Sequence, residues 1–405
     1  MSSIFLKTID GFRQLLKPVG IVIGATLGFA MCVGLGYRAQ YVDVHKTFTR
    51  FHPMIAPDSL YQPTLGEMLA IVRSRVTKDK ILVIVGGNSI FYGVGQPVEK
   101  LWSRRLGDKL GDNYRVINFA LRGAGPTDGG ALVTEALRDE YPKIIYVANT
   151  APGQAPDAIG SDTYRFLFWD AYFKGKLTGW QPREDRLTDY RKAPTTKSQY
   201  IEMELEGKAD RWLHFKDLWE RFGYNHLFPV WNFYTPEITS FLKARRLYTD
   251  LENDFSTSPF ERRYQPQFLQ TEMKIVRNFS AGYYKQNENN QWAKVENEWN
   301  GFTKGVHAAF PDCLKNHTLI CLSRNSPFYV NQLNGAEKTR DDLVYQDSIQ
   351  VWTKEGYACM DYGRDFLPLD FGDRTHLASS GGEKLSVLVA EKVRNMAMEL
   401  GYLKR

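Results

Sequence analysis

Residues 81–89 read ILVIVGGNS. The run from Ile81 to Gly86 is apolar on both faces and rich in β-branched residues, which is typical of a strand in the middle of a covered parallel sheet. A tight turn with two glycines follows and ends in Ser89. The sequence therefore predicts a central strand with a serine directly beyond its carboxyl end.

The residues that follow alternate between helical and strand patterns. A helical pattern covers Val98 to Leu110, and short strands are predicted for Arg115 to Phe119 and for Lys143 to Ala148. A glycine-rich turn, Arg122 to Gly130, and a second helix that ends at Arg138 separate these two strands. This βαβαβ order favours a doubly wound parallel sheet, whose ligands bind beyond the carboxyl ends of the strands.

The alternation stops near residue 155 and returns in the last quarter of the chain. Strands are predicted for Thr318 to Leu322 and Gly356 to Asp361, and an amphipathic helix from about Gly382 to Leu400. Residues 155–310 between the two parts are rich in aromatic residues. Neither part holds enough strands to bury a sheet alone. We therefore expect one three-layer α/β/α domain with a mostly parallel sheet, interrupted by a long cap-like insertion.

An uncharged stretch near the amino terminus, residues 19–37, reads VGIVIGATLGFAMCVGLGY. As a helix it has about the length that crosses the hydrocarbon core of a bilayer. A cleaved signal peptide is the alternative, but Tyr37, Arg38 and Gln40 make a poor cleavage site. A short tail before one early span favours a retained anchor in the inner (cytoplasmic) membrane, with the rest of the chain extracytoplasmic, either periplasmic or extracellular.

The sequence thus predicts six consecutive segments. They are a cytoplasmic tail (1–18), a transmembrane anchor (19–37), a linker and lead-in (38–80), the first part of the α/β domain (81–154), the cap-like insertion (155–310) and the second part of the α/β domain (311–405).

Composition and charge exclude several classes of function. With 43 % hydrophobic and 14 % aromatic residues the chain can fill a sizeable core, and a mean hydropathy of −0.40 excludes a polytopic membrane protein. The net charge of +6 is spread without a Lys/Arg block, so we expect no nucleic-acid partner. The Gly123-Ala124-Gly125 turn lacks the third glycine of a dinucleotide site, and no phosphate-binding loop occurs, so no cofactor is expected.

The cysteines show no metal-binding pattern. They contain no C-x-x-C pair and no Cys/His spacing suited to zinc, so we expect no metal site. Cys313 and Cys321 lie eight positions apart, and both a small disulfide loop and two buried free thiols are compatible with that spacing. The four cysteines are Cys32, Cys313, Cys321 and Cys359.

Two short motifs carry the candidate chemistry. Ser89 ends the turn after the first strand, and Asp373-Arg374-Thr375-His376 stands just before the last helix. A hydroxyl becomes nucleophilic beside a base, and a carboxylate three residues before a histidine can hold that base in the right tautomer. The candidate donors to a negatively charged substrate oxygen are the backbone N–H groups of Ser89 and Gly123 and the side-chain amide of Asn149.

The order of these motifs resembles that of the SGNH or GDSL hydrolases. VIVGGNS resembles the block of the catalytic serine, here Ser89, with Asn88 where the family usually has Asp. VINFALRGAG resembles the block of the oxyanion glycine, here Gly123. The G-x-S-x-G elbow of ordinary α/β-hydrolases is absent, because Phe91 stands at the position of its second glycine.

The later blocks continue the resemblance. VANTAPG is similar to the block of the oxyanion asparagine, here Asn149, although its neighbours depart from the family pattern. DRTHLASSGGEKLS resembles the terminal block, in which Asp373 and His376 match the acid and the base. The resemblance covers the α/β part only and leaves the insertion without a relative.

A single span before such a domain is similar in layout to envelope members of this family, including those of teichoic acid D-alanylation and polysaccharide O-acetylation. The resemblance implies a membrane-anchored serine acyl esterase or O-acyltransferase that acts on an extracytoplasmic polysaccharide or other envelope glycan through an acyl ester of Ser89. A membrane-bound acyltransferase is the candidate partner. The alternative is a non-catalytic SGNH-like protein that binds glycan or docks on a membrane acyltransferase.

Overall fold

A parallel five-stranded sheet forms the centre of the part of the chain that the structure describes. The computed structural model describes residues 18–39, 65–121, 124–154, 156, 196–198, 201, 205 and 266–403. The strands are β1 (Ile81–Val85), β2 (Tyr114–Asn118), β3 (Ile144–Thr150), β4 (Tyr284–Gln286), β5 (Trp292–Lys294), β6 (Thr318–Ser323) and β7 (Ala358–Tyr362). The helices are α1 (Pro18–Ala39), α2 (Leu65–Arg75), α3 (Ser89–Tyr92), α4 (Trp102–Leu110), α5 (Gly130–Leu137), α6 (Pro266–Ala281), α7 (Glu296–His307), α8 (Asp312–Lys315), α9 (Pro327–Val330), α10 (Gly335–Lys354) and α11 (Ser379–Glu399), with 3₁₀ turns at Val98–Lys100 and Pro368–Asp370.

The sheet confirms the predicted α/β class. Its strands lie in the order β2-β1-β3-β6-β7, and every neighbouring pair is parallel. The chain adds β2 on one side of β1 and β3 on the other, so the build direction reverses between β1 and β3. In open parallel sheets the crevice at such a reversal, outside the carboxyl ends of the strands, is where ligands bind.

Helices cover both faces of this sheet. On one face Leu82 and Ile84 of β1 share a core with residues of α2, α5, α7 and α10. On the other face Ile81, Val83 and Val85 share a core with α4 and α11. All five side chains of β1 are buried, and burying each of them stabilises the fold by roughly 1.5–3 kcal/mol. Both apolar faces of the ILVIV run are therefore used.

The sheet also separates two of the cysteines. Cys321 lies in β6 within the core on the α4 and α11 side, whereas Cys313 packs against the core on the opposite side. Both are free thiols, so of the two possibilities left by the sequence the structure has no disulfide between them. Burial raises the pKa of the Cys321 thiol well above its ordinary value.

Helix boundaries around residue 100 differ from the prediction. The helical pattern from Val98 to Leu110 begins as a single 3₁₀ turn, and α4 starts only at Trp102. The cause is Leu101, whose ψ of 134° interrupts the helical backbone between the two pieces.

Part of the predicted insertion packs as part of the α/β unit. Trp299 and Phe302 of α7 are buried in the same core as the sheet residues, and so is Phe310 after the helix. Aromatic residues at helical spacing look alike in a cap and in a core, which is why the sequence placed this helix in the insertion. Most of residues 155–310 lie outside the described residues.

The amino-terminal helix α1 exposes large apolar side chains. Val19, Val22 and Leu27 each keep more than half of their surface exposed. The side chains of α1 are described as far as Gly34, and among the described residues no helix is long and apolar enough to cross a bilayer. The anchor at residues 19–37 stays a prediction, and the tail before Pro18 lies outside the described residues.

Helix α10 carries a buried carboxyl group whose hydrogen-bonding needs are only partly met. Asp341 is 3 % exposed, and its Oδ1 atom has no hydrogen-bond partner among the described residues. Burial raises the pKa of Asp341 to about 6, and the nearby Arg324 guanidinium opposes this shift only in part. The folded chain therefore keeps this proton at a pH where the unfolded chain, with an ordinary pKa of 3.8, has released it.

We expect the ionised Asp341 to destabilise the fold near neutral pH. Because its folded pKa is raised, its contribution to the free energy of unfolding falls by about 3 kcal/mol as the pH rises through the window from about 4 to 6. Asp341→Asn removes this fall and raises the melting temperature of the full-length protein by about 5 °C at pH 7.5, with a much smaller change near pH 4. Thermal unfolding at both pH values checks this, with the exposed Asp365→Asn as control. An unchanged or lower melting temperature at pH 7.5 contradicts the prediction.

Candidate active site

The turn after β1 places Ser89 at the start of α3. Gly87 has a φ of +95°, and a Cβ atom built on it lies 2.9 Å from the backbone nitrogen of Asn149. Glycine is required here because L side chains rarely adopt this conformation and the neighbouring strand leaves no room. The Asn88 side chain caps α3 by accepting a hydrogen bond from the Ile90 N–H at 3.0 Å. The chain thus turns sharply from strand to helix at Ser89.

Asn88 and Asn149 exchange hydrogen bonds across the reversal between β1 and β3. The Asn88 backbone N–H donates to Asn149 Oδ1 at 3.1 Å, and Asn149 Nδ2 donates to Asn88 Oδ1 at 2.8 Å. Asn149 is fully buried and lies within β3, which extends two residues beyond the predicted strand because Asn149 and Thr150 pair with Cys321 and Leu322 of β6. The amide nitrogen of an asparagine carries two N–H groups, and the bond to Asn88 uses one of them.

A closed loop before α11 carries Asp373 and His376, the acid and the base predicted from the sequence. Phe371 and Leu377 pair as an antiparallel bridge at the base of the loop. Within it, Asp373 Oδ1 accepts hydrogen bonds from the backbone N–H groups of Thr375 at 2.8 Å and His376 at 2.7 Å. One carboxylate oxygen therefore shapes the loop, and the other is left for the imidazole.

The structure brings Ser89, His376 and Asp373 into hydrogen-bond contact. Ser89 Oγ lies 2.8 Å from His376 Nε2, and His376 Nδ1 lies 2.6 Å from Asp373 Oδ2. A carboxylate only accepts, so this network assigns the proton to Nδ1 and leaves Nε2 to accept the hydroxyl of Ser89. The serine and the histidine are 287 positions apart, and the parallel sheet brings them together.

Electrostatics keep Asp373 ionised. Burial raises the pKa of its carboxyl, but the facing His376 ring and the backbone N–H donors of His376 and Thr375 outweigh burial, so that the net pKa lies below its ordinary value. The side chains of His376 and Asp373 are 19 % and 15 % exposed. An ionised carboxylate stabilises the imidazolium that forms when the histidine takes the serine proton. This arrangement is chemically suited to activating Ser89 as a nucleophile.

Gln96 supports the loop from the core, and the sequence reasoning missed it. Its side chain is fully buried, its Nε2 donates to the Leu377 backbone oxygen at 3.1 Å, and its Oε1 accepts from the Trp102 N–H at 2.9 Å. A Cβ atom on Gly382 would lie 2.6 Å from Gln96 Oε1, so α11 needs glycine there to come this close. A lone glutamine belongs to no motif. The Gly381-Gly382 pair was the one sequence feature that could have indicated a close contact at the start of α11.

Asn118 joins the end of β2 to the segment after Ser89. Its Nδ2 donates to the Phe91 backbone oxygen at 2.9 Å and to Ser103 Oγ at 3.0 Å, and its Oδ1 accepts from the Ala120 N–H at 2.9 Å. These bonds go to the scaffold around the turn. The predicted oxyanion residue Gly123 lies outside the described residues, so its role stays a prediction. Within the described part of the chain, no group of three or more His, Cys, Asp or Glu side chains is arranged to hold a metal ion.

Two substitutions of Asn88 are expected to have different effects. The carboxylate of Asn88→Asp can accept both hydrogen bonds that Asn88 Oδ1 accepts, so we expect fluorophosphonate labelling of Ser89 within about twofold of the wild-type rate. Asn88→Ala loses the helix cap, which costs about 1 kcal/mol, and loses the hydrogen bond from Asn149 Nδ2, so we expect labelling slower by about tenfold. Intact-mass kinetics measure both rates. Equal rates for Asn88→Ala and wild type would show that the pair does not hold the turn.

Comparison with known protein families, with curated proteins and with solved structures finds no match for this chain. The case for this site rests on its geometry and on the resemblance of the sequence motifs.

Proposed function

We propose that this chain is a membrane-anchored serine acyl esterase or O-acyltransferase that acts on an extracytoplasmic polysaccharide or another envelope glycan. The observation that carries the proposal is the hydrogen-bonded series from Ser89 through His376 to Asp373. Its position at the reversal between β1 and β3 supports a ligand site there. The resemblance to the SGNH hydrolases supports acyl transfer as the chemistry and a three-layer domain of that type as its scaffold.

The first half of the proposed reaction forms an acyl ester on Ser89. Ser89 Oγ attacks the carbonyl carbon of the acyl donor while His376 Nε2 takes its proton, and the ionised Asp373 stabilises the imidazolium. The tetrahedral intermediate then loses its alcohol: the carbon–oxygen bond to the leaving group breaks, and His376 returns the proton to the leaving oxygen.

Negative charge develops on the carbonyl oxygen during this step. The Ser89 N–H is one of the first N–H groups of α3, which have no partner within the helix. The second N–H of the Asn149 amide and, by resemblance, the Gly123 N–H complete the proposed set of donors. Donors that the fold already holds in place stabilise such an oxyanion without reorganising.

The second half transfers the acyl group. A water molecule or a sugar hydroxyl attacks the acyl carbonyl, His376 takes the proton of the attacking oxygen, and Ser89 Oγ receives that proton as the acyl–serine bond breaks. Water as the acceptor makes the chain an esterase, and a sugar hydroxyl makes it an O-acyltransferase.

The exposed apolar surface of α1 supports the proposed anchor. Transfer of Val19, Val22 and Leu27 from water into a bilayer is favourable. In the sequence, the uncharged stretch of residues 19–37, which continues past the last described side chain of α1, has about the number of residues that a span needs. In this arrangement the α/β domain faces the envelope glycan, and a membrane-bound acyltransferase lies within reach as the proposed partner.

Labelling of the detergent-solubilised full-length protein by a fluorophosphonate probe tests the proposal. We expect wild type to gain one adduct by intact mass, Ser89→Ala to gain none, and His376→Ala to react at least about 100-fold more slowly, because general-base catalysis contributes roughly 10²–10⁴-fold.

Matched controls are a serine and a histidine outside the site. Ser74→Ala on α2 and His307→Ala on α7, both at exposed positions, are expected to label at the wild-type rate. A folded wild-type protein that stays unlabelled would contradict the proposed catalysis and favour the non-catalytic alternative. If the wild type is labelled, fresh unlabelled protein incubated with p-nitrophenyl acetate and a glycan acceptor then separates the two activities: an esterase releases acetate, and a transferase gives acetylated glycan.

A further inference from the structure

Arg374 stands between the aspartate and the histidine of the catalytic loop, and groups outside the loop hold it. Its Nε donates to Glu272 Oε2 at 2.6 Å, and its Nη1 donates to Asn325 Oδ1 at 2.8 Å. Its backbone oxygen accepts a hydrogen bond from the Ser326 N–H at 2.7 Å. Both the main chain and the side chain of this residue are therefore fixed from outside the loop.

The helix that presents Glu272 is itself anchored. The buried side chains of Met273 and Val276 on α6 pack with Tyr329 and Leu333, which follow the segment of Asn325 and Ser326. Two partners of Arg374, the α6 carboxylate and the segment after β6, thus belong to one packed unit.

A second set of contacts ties the end of α6 to α10. Arg340 Nε donates to Ser280 Oγ at 3.1 Å, and Arg340 Nη2 donates to the Arg277 backbone oxygen at 3.0 Å. Helix α10 in turn packs on the sheet through Val344 and Trp352. The position of Glu272 is therefore fixed relative to the sheet, and so relative to the turn that carries the serine.

The ion pair between Glu272 and Arg374 is better suited to fixing the position of the loop than to stabilising the fold. The two side chains are 31 % and 28 % exposed, so solvent screens their attraction. A short charge-assisted hydrogen bond still fixes direction and distance. Proton transfer between Ser89 and His376 depends on such geometry, since a displacement of about 1 Å costs roughly 100-fold in rate.

We propose that Glu272 is a positioning residue, which acts through Arg374 to hold the loop of Asp373 and His376 against Ser89. The inference rests on the proposed function. It gives a role to α6, which the sequence placed inside the insertion of residues 155–310.

The rate of fluorophosphonate labelling of the full-length protein in detergent tests this role. We expect Glu272→Gln and Arg374→Gln each to lower the rate constant by about tenfold, and the double variant to be no slower than the slower single variant, because both act through one contact. Glu272→Asp keeps the charge on a shorter side chain and is expected to recover part of the loss. Glu288→Gln, at an exposed position in the turn between β4 and β5, is the matched control and keeps the wild-type rate.

The outcomes separate this role from the proposed function. An unlabelled wild type overturns the proposed function and this role with it. A labelled wild type with Glu272→Gln at the same rate overturns the positioning role alone, and so do additive losses in the double variant. A lower melting temperature with an unchanged labelling rate well below it shows a merely structural contact. If Glu272→Gln does not fold, the intermediate rate expected for Glu272→Asp decides the matter in the same way.

Discussion

The close approach of the turn after β1 to strand β3 is the constraint on which the site depends. A side chain at Gly87 would collide with Asn149, so the turn can run at this distance only with glycine. The approach allows Asn88 and Asn149 to exchange two partly buried hydrogen bonds. A buried amide left unpaired costs about 1–3 kcal/mol, so any other path of the turn is disfavoured, and Ser89 inherits its position from this pair.

Asn149 also shows which parts of the structure the sequence can predict. Short runs that are apolar on both faces and rich in β-branched residues, such as Ile81–Val85, indicate central strands of a parallel sheet, because helices cover both faces of such a sheet. Polar residues at a strand end give no such signal, which is why Asn149 was expected beyond β3 although its backbone pairs with β6. The order of Ser89, Asp373 and His376 is visible in local motifs. Their meeting follows only from the parallel topology, which brings the carboxyl ends of β1 and its neighbours to one edge.

Supporting residues were harder to foresee for a physical reason. Gln96 reaches the loop through one hydrogen bond to Leu377, and Glu272 through one to Arg374, and in each case the partner is far away in the chain. Helix α7 was placed in the insertion because an aromatic amphipathic pattern is the same whether it faces a sheet or a cap. Whether such a helix packs on a sheet or on a cap depends on the surface of its partner, and the helix's own sequence carries no information about that surface.

Residues from two different parts of the fold hold the loop of Asp373 and His376 in place. Gln96 holds the backbone of Leu377, just after the histidine, while Glu272 and Asn325 hold Arg374, two positions before it. In the proposed reaction His376 takes a proton from Ser89 and gives it to a leaving oxygen, so it has to serve both positions without a large movement. One support comes from the core under α11, and the other from α6, which packs against α9 and α10. The loop is therefore clamped between two parts of the fold that are distant in sequence, so the geometry of the serine–histidine pair depends on the whole α/β unit together with α6.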